Sequence, residues 1–336
     1  MEKDFKKIRL GLLLAALIIG LIGCSGGSSS SNGSGNGLEK TSLKVGLPID
    51  TSTFLPLYLA DSKGFFKDEG LDVEIYGFKG DAGVAQALVG DSVDINAASL
   101  TGLVKAINSN QPFIAFWGGF NHSDFEWYSP NLTSMDQIKG AKFGVTSYGS
   151  LTDFLTRYVI KEAGFDPEKD VEILQGGGSA ARIAAMESGQ MDANILSTPE
   201  KFMAADLGMN LLLNEKDISP TWPQHVIYGK EEFVKNNPET IKAFLRAMVK
   251  AVEYNEEHPD ESVKVLMDKL NLEEKYAKLA VEEVTLGFDK NGGTDKEGLD
   301  FFWEISVESG DTDQPWSEDK WLDRTFIDSL DEWVNE

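Results

Sequence analysis

Chemistry at a protein site needs a nucleophile, a proton carrier or a metal cage, and this chain is sparing with all three. Its histidines are His122, His225 and His258, and no two of them stand at a metal-ligand spacing such as H-E-x-x-H. His258 precedes Pro259 at an expected helix end, His225 opens an expected strand, and His122 falls in a loop. One cysteine, Cys24, leaves none for a disulfide or a thiolate cage. Gly176-Gly177-Gly178 lacks the Lys-Ser/Thr of a phosphate loop. Hydroxyl residues are plentiful instead, in Asp50-Thr51-Ser52-Thr53-Phe54 and Ser147-Tyr148-Gly149-Ser150. Such groups hold a polar molecule without transforming it, so no catalytic residue, metal or cofactor is expected.

The elements that must position these hydroxyls alternate. Leu43–Leu47, Asp72–Phe78 and Val93–Ala98 read as strands, separated by helices over Leu55–Phe66 and Gly83–Val89, with a further helix over Gly102–Asn108. An apolar strand, Phe113–Phe120, leads into the polar stretch Asn121–Asn131. A second cycle then begins, with strands Ala141–Val145, Val171–Leu174 and Asp192–Leu196 and helices Leu151–Ala163 and Ala180–Ser188. Strands alternating with helices predict an α/β fold with mainly parallel sheets covered on both faces. After a strand at Gln224–Gly229 the chain turns helical: Pro238–Tyr254, Asp260–Leu270, Glu273–Leu286, Lys296–Glu308 and Arg324–Val334. Gly310–Trp316 is irregular, and Trp316 and Trp321 are expected as packing anchors.

The two cycles echo each other. Gln86–Ser99 reads QALVGDSVDINAAS and Ala184–Ser197 reads AAMESGQMDANILS, so that Asp94 falls on Asp192, Asn96 on Asn194 and Ser99 on Ser197. Common βα grammar and true repetition both produce such an echo, and either implies two lobes built alike.

At the start, Lys3, Lys6, Lys7 and Arg9 precede an apolar run from Leu10 to Ile22 that is shorter than the roughly 20 residues a spanning helix needs. This order is that of a secretory signal, Met1–Gly23. Leu21-Ile22-Gly23-Cys24 resembles the lipobox of bacterial lipoproteins, which implies acylation of Cys24. The Ser, Gly and Asn of residues 25–37 then predict a flexible tether, running to residue 41. Removing signal and tether leaves about 295 residues, enough for two well-buried lobes. With 31 Lys+Arg against 55 Asp+Glu, a formal net charge of -24, nucleic acid is excluded as a partner, since phosphate binding needs a basic surface.

Pro56-Leu57-Tyr58-Leu59-Ala60-Asp61-Ser62-Lys63-Gly64-Phe65-Phe66-Lys67-Asp68-Glu69-Gly70-Leu71-Asp72-Val73-Glu74 resembles a signature of the substrate-binding proteins of sulfonate, taurine, nitrate and thiamine-precursor ABC importers. Ala87-Leu88 with Val93-Asp94-Ile95, Leu132–Gly140, Ala184–Ala193 and Asn237-Pro238-Glu239 extend the match. The resemblance implies a type II periplasmic-binding-protein fold, two lobes joined by two crossing strands around a cleft. On that template, residues 42–128 and 224–336 form the first lobe and 129–223 the second. It also implies a monomer on the extracytoplasmic face, attached to the membrane through lipid alone, that passes a small molecule to an ABC permease.

Ligands of parallel α/β sheets bind beyond the carboxyl ends of the strands. That rule selects Thr51, Ser52, Thr53 and Phe54; Ser99 and Leu100; Ser147, Tyr148, Gly149 and Ser150; and Ser197 and Pro199. Trp127, Tyr148 and Trp222 are expected as aromatic cleft walls. Backbone N–H groups at Ser147–Ser150, ahead of a helix, are set either to meet an anionic or polar ligand or to be capped by Ser150. Arg182 is expected on the surface in a salt bridge. Thiamine-precursor binders typically carry Trp and His after the first strand, and Asp50–Phe54 has neither, which favours a sulfonate, a nitrate-like anion or a small aromatic acid over a pyrimidine. Two rival readings remain: a sensor domain handing ligand state to a membrane kinase, and an enzyme similar to the yeast thiamine-pyrimidine synthases, whose cysteine-rich motif is missing here.

Overall fold

The computed structural model describes residues 37–335. The expected signal, Cys24 and all but the last of the Ser/Gly/Asn-rich residues lie outside them. Ten strands arise where apolar runs alternate with turn residues: β1 Ser42–Leu47, β2 Asp72–Gly77, β3 Ile95–Ser99, β4 Phe113–Phe120, β5 Glu126–Ser129, β6 Lys142–Val145, β7 Glu172–Gln175, β8 Ala193–Leu196, β9 Asn210–Asn214 and β10 His225–Lys230. They form two sheets, β2-β1-β3-β10-β4 and β7-β6-β8-β5-β9. In each sheet a single strand, β10 or β5, runs antiparallel to both neighbours. These are the two strands by which the chain passes between lobes.

Expectation and structure differ at several elements. The polar stretch Asn121–Asn131 contains β5, and pairing with β8 and β9 places Glu126–Ser129 in the second sheet, so the change of lobe precedes residue 126. Its Trp127, Tyr128 and Ser129 are buried, but four residues are too few to show a period. Leu55–Phe66 is interrupted: helices run Leu55–Ser62 and Phe65–Asp68, parted at Gly64, whose φ of 80° is left-handed. The structure adds a helix at Glu200–Asp206 and strand β9, and the final helix is two short pieces, Thr325–Asp328 and Leu330–Trp333.

The echo between the cycles is a shared hydrogen-bond lattice. In the first lobe, Asp94 accepts from the Lys44 amide at 2.9 Å, and the Asn96 side chain donates to the Val84 carbonyl at 3.1 Å. In the second, Asp192 accepts from the Lys142 amide at 2.8 Å, and Asn194 donates to the Arg182 carbonyl at 3.0 Å. All these partners recur at one constant spacing along the chain. The buried Asn stitches its strand to the flanking helix, and the neighbouring strand clears room for it with a glycine. A Cβ on Gly46 would stand 2.5 Å from Asn96 Oδ1, and one on Gly144 would collide with Asn194 Oδ1 and meet the Met191 sulfur at 2.5 Å.

Large apolar side chains fill each lobe. Phe66 stacks on Phe244 of the long helix Pro238–Glu257, centroids 5.2 Å apart. Trp321 is fully buried beside Trp303, and Trp316 lies against Trp303 at 5.7 Å. The C-terminal stretch is also pinned along β4, because the Ala115 amide donates to the Trp321 carbonyl and the Asp323 amide to the Ala115 carbonyl, both at 2.8 Å. Overpacking of this kind costs about 1–3 kcal/mol, so Gly144→Ala is expected to lower stability by that amount in urea unfolding. A neutral result would show that the Gly144–Asn194 approach is looser than described.

Candidate ligand cleft

The loops at the carboxyl ends of the strands come together from both lobes and are tied to one another. Thr51 Oγ1 and Ser52 Oγ, beyond β1, donate to the Thr198 carbonyl beyond β8, at 3.2 and 2.7 Å. Thr53 Oγ1 lies 2.9 Å from His225 Nε2, and Phe54 stacks on the His225 ring with centroids 4.5 Å apart. His225 thus supplies, from the crossing strand β10, an imidazole beside the aromatic ring of the first loop. Burial holds it down to about 3, so it is neutral.

A second tie runs through Asp81, the first residue of the helix Asp81–Val89. Its buried carboxylate accepts from the Ser99 amide at 3.2 Å in its own lobe and from the Leu151 amide at 3.3 Å across the cleft. Burial raises its pKa against these bonds. Ser99 caps its own helix by accepting from the Gly102 amide at 2.9 Å, and Leu100 beside it is buried. At the facing loop, Ser150 Oγ donates to the Ser147 carbonyl at 2.7 Å, and the Gly149 amide donates to Asp153 Oδ2 at 2.7 Å. The Tyr148 amide donates to Gln175 and its hydroxyl to the Ile173 carbonyl, leaving the ring half exposed. The Tyr148 and Gly149 amides there are met by Gln175 and Asp153, and Ser150 does not cap its own helix with its side chain.

The remaining expected positions separate. Ser197 and Pro199 are buried around Thr198 at the seam. Trp127 and Trp222 do not face it. Trp127 lies in β5 with Nε1 donating to Thr156 at 3.2 Å, and Trp222 packs on Phe302 with centroids 5.7 Å apart. Both are core residues, drawn there because indole area is more stabilising buried than exposed. Arg182 is likewise no surface residue. It is 1% exposed and donates to Thr146 Oγ1 at 2.9 Å, Ser179 Oγ at 3.1 Å and the Ile195 carbonyl at 2.8 Å.

Beside the tied loops opens a cavity of about 550 Å³, walled by Asp50 and Thr51 after β1, Phe78 and Lys79 after β2, and Ser179 and Glu200 from the second lobe. A larger hollow of about 860 Å³ lies off the strand ends, between the helices Leu151–Glu162 and Lys296–Glu308. There Arg157, Lys161 and Lys105 are paired with Asp153, Glu308 and Asp311. Burial lifts Glu200 to about 7, partly offset by the Arg182 charge.

Near β5 a buried charge cluster crosses between lobes. Lys201, 2% exposed, lies 3.4 Å from Asp124, 3.7 Å from Glu126 and 2.9 Å from Glu283 of the first-lobe helix Glu274–Thr285. His122 and Lys216 also reach Glu283, at 3.3 and 2.7 Å. Burial disfavours the Glu283 charge, yet the bonds from His122 and Lys216 and the charge of Lys201 outweigh it, leaving the carboxyl below its usual range. Glu215, accepting from the Phe125 amide at 3.0 Å, is lifted by burial to about 8. These partners are far apart in the chain, so no local pattern announced them.

Two α/β lobes, each with one reversed strand lent by the crossing and with ligand-side loops facing one cleft, define the class of type II periplasmic binding proteins. Residues 51–262 match the model of the NMT1/THI5-like family, and the chain belongs to that family. YtlA of Bacillus subtilis, named as a binding protein, is 28% identical over 65% of this chain and 67% of its own length. The aliphatic sulphonate-binding protein SsuA of Escherichia coli superposes with a TM-score of 0.67 at 15% identity, covering 84% of this chain and 91% of that one. The nitrate-binding protein NrtA of Synechocystis PCC 6803 gives 0.67 at 18% identity, covering 89% of each.

The buried acids fix a sign for pH dependence. A carboxyl whose folded pKa lies above its unfolded value binds an extra proton when folded, so its contribution is present below the unfolded value and lost as pH rises through the folded one. From pH 7 to 8 His225 is neutral folded or unfolded, and Glu215 at about 8 still holds its proton. Thermal denaturation is therefore expected to show stability falling across that interval, with a shallower fall in Glu215→Gln; an unchanged slope in the variant would clear Glu215 of the effect.

Proposed function

We propose that this chain captures a small polar solute between its lobes and delivers it to an ABC importer, tethered to the outer face of the membrane by an acylated Cys24. The observation that carries this reading is the Asp81 carboxylate, shared between amides of both lobes at the strand ends, which makes the cleft a closing joint. Beside it lies a cavity of about 550 Å³, of the size that takes a metabolite. The family relatives named as binding proteins support the same reading. Lobe closure over a solute shifts a hinge equilibrium, and the closed form is what a permease engages.

Capture without turnover is favoured over catalysis by the state of His225. It is buried, neutral, and engaged by Thr53 and Phe54, so it is not placed as a base or as an accessible group to be consumed. As for attachment, no helix among the described residues is long and apolar enough to cross a membrane, and the lipobox-like Leu21-Ile22-Gly23-Cys24 supplies an alternative anchor.

Three measurements test this. Native mass spectrometry of the chain isolated from its own cells is expected to show a small non-covalent passenger, and small-angle scattering a more compact molecule with the passenger than without. Cys24→Ala is expected to move the protein from the membrane to the soluble fraction; retention on the membrane would remove acylation from the reading.

A further inference from the structure

The charge cluster at the crossing divides by lobe. Lys201 belongs to the helix Glu200–Asp206 of the second lobe, and two of its three carboxylate partners travel with it. Asp124 accepts from the Thr198 amide at 3.1 Å and from the Thr198 hydroxyl, while Glu126 stands in β5 and accepts from the Asn214 side chain at 3.1 Å. The third, Glu283, stands on the first-lobe helix Glu274–Thr285. Its bonds from Lys201 and Lys216, at 2.9 and 2.7 Å, are the ones in this cluster that a parting of the lobes has to break.

Neither side is stranded when they break. His122, 3.3 Å from Glu283, stays with the first lobe: the amide of its neighbour Asn121 donates to the Gly287 carbonyl at 2.8 Å, and a Cβ on Gly287 would stand 2.6 Å from the His122 Cβ. Glu283 therefore keeps His122 on opening, Lys201 keeps Asp124 and Glu126, and Lys216, with its side chain 36% exposed, turns to water. A buried ion that loses its partner outright is strongly disfavoured, and this division of partners avoids that penalty. The contact also adjoins the seam, since Asp124 joins Lys201 to Thr198, whose carbonyl the Thr51 and Ser52 hydroxyls reach. The far end of the same helix pair is tied as well, by Asp206 with Lys275 and with the Tyr276 hydroxyl at 2.9 Å. Asp206 and Lys275 are exposed, however, and an exposed pair contributes little.

We propose that Glu283 is a positioning residue for capture: a detachable catch outside the cleft, whose two bonds to the second lobe hold the lobes closed and so set how firmly a solute is kept. A group that bonds one state of a hinge and not the other shifts the equilibrium toward that state, with or without solute. The proposal rests on the capture reading above for its effect on a solute, and on the ion pairs alone for its effect on shape.

The test is small-angle scattering of the full chain dialysed free of passenger, together with native mass spectrometry of undialysed material. Glu283→Gln keeps the side-chain shape and removes the charge. It is expected to raise the radius of gyration by about 1 Å, against roughly 20 Å for a compact chain of this length, and to lower the passenger-bearing fraction about threefold. Asp206→Asn, at the exposed tie, is expected to change neither. Unchanged circular dichroism would show the variants folded; should Glu283→Gln misfold, Lys216→Met removes one of the two bonds at a half-exposed site and is expected to expand the molecule in the same direction. A folded variant, Glu283→Gln or in its place Lys216→Met, with the radius of wild type would overturn the proposal. Equal expansion in Asp206→Asn would overturn the assignment to Glu283. Expansion as expected, with no passenger in wild type or variant, would sustain the catch and count against capture.

Discussion

The seam between the lobes depends on one physical constraint: a carboxylate withdrawn from water must have its lone pairs met. Asp81 meets that demand only by drawing on both lobes, the Ser99 amide from one and the Leu151 amide from the other. Pulling the lobes apart strands the carboxylate without half of its partners until water replaces them. The same holds for the Thr198 carbonyl, which is bonded by hydroxyls from across the cleft. The joint is therefore polar and reversible. An apolar interface of the same extent would favour closure whether or not a solute were present, whereas these groups exchange protein partners for water at modest net cost.

Rigidity comes from elsewhere, from the lattice repeated in each lobe. Asn96 and Asn194 each tie a central strand to a helix, in the space opened by Gly46 and Gly144. Because the lattice is the same in both lobes, both present their strand ends in the same way, and two similar rims face one another. The rims have diverged in what they carry. One presents Asp81 and the other, at the matching position, Ser179, so the carboxylate that closes the seam comes from one side alone.

The architecture was legible because it is written in short-range signals: alternating strands and helices, a glycine-bearing turn, and the Asp-x-Asn echo that marked each central strand. Those signals also located the loops holding Thr51, Ser52, Ser99, Ser150 and Ser197. Which way a side chain in such a loop faces depends on partners distant in sequence. Trp127 and Trp222 were read as walls because they stood in polar stretches, yet one lies on a four-residue strand and the other among phenylalanines of the C-terminal helices. Asp81 had no mark at all, since an acid in a first helical turn is ordinary. The Lys201–Glu283 crossing and the pairing of Phe54 with His225 were hidden for the same reason.

The arrangement of β10 bears on how the molecule is made. The first sheet lacks its fourth member, the strand between β3 and β4, until residues 225–230 have left the ribosome, whereas the second sheet is complete once β9 has emerged. Half of one lobe must therefore wait with the flank of β3 unpaired while the other can close, and pairing over so long a separation is slow to nucleate.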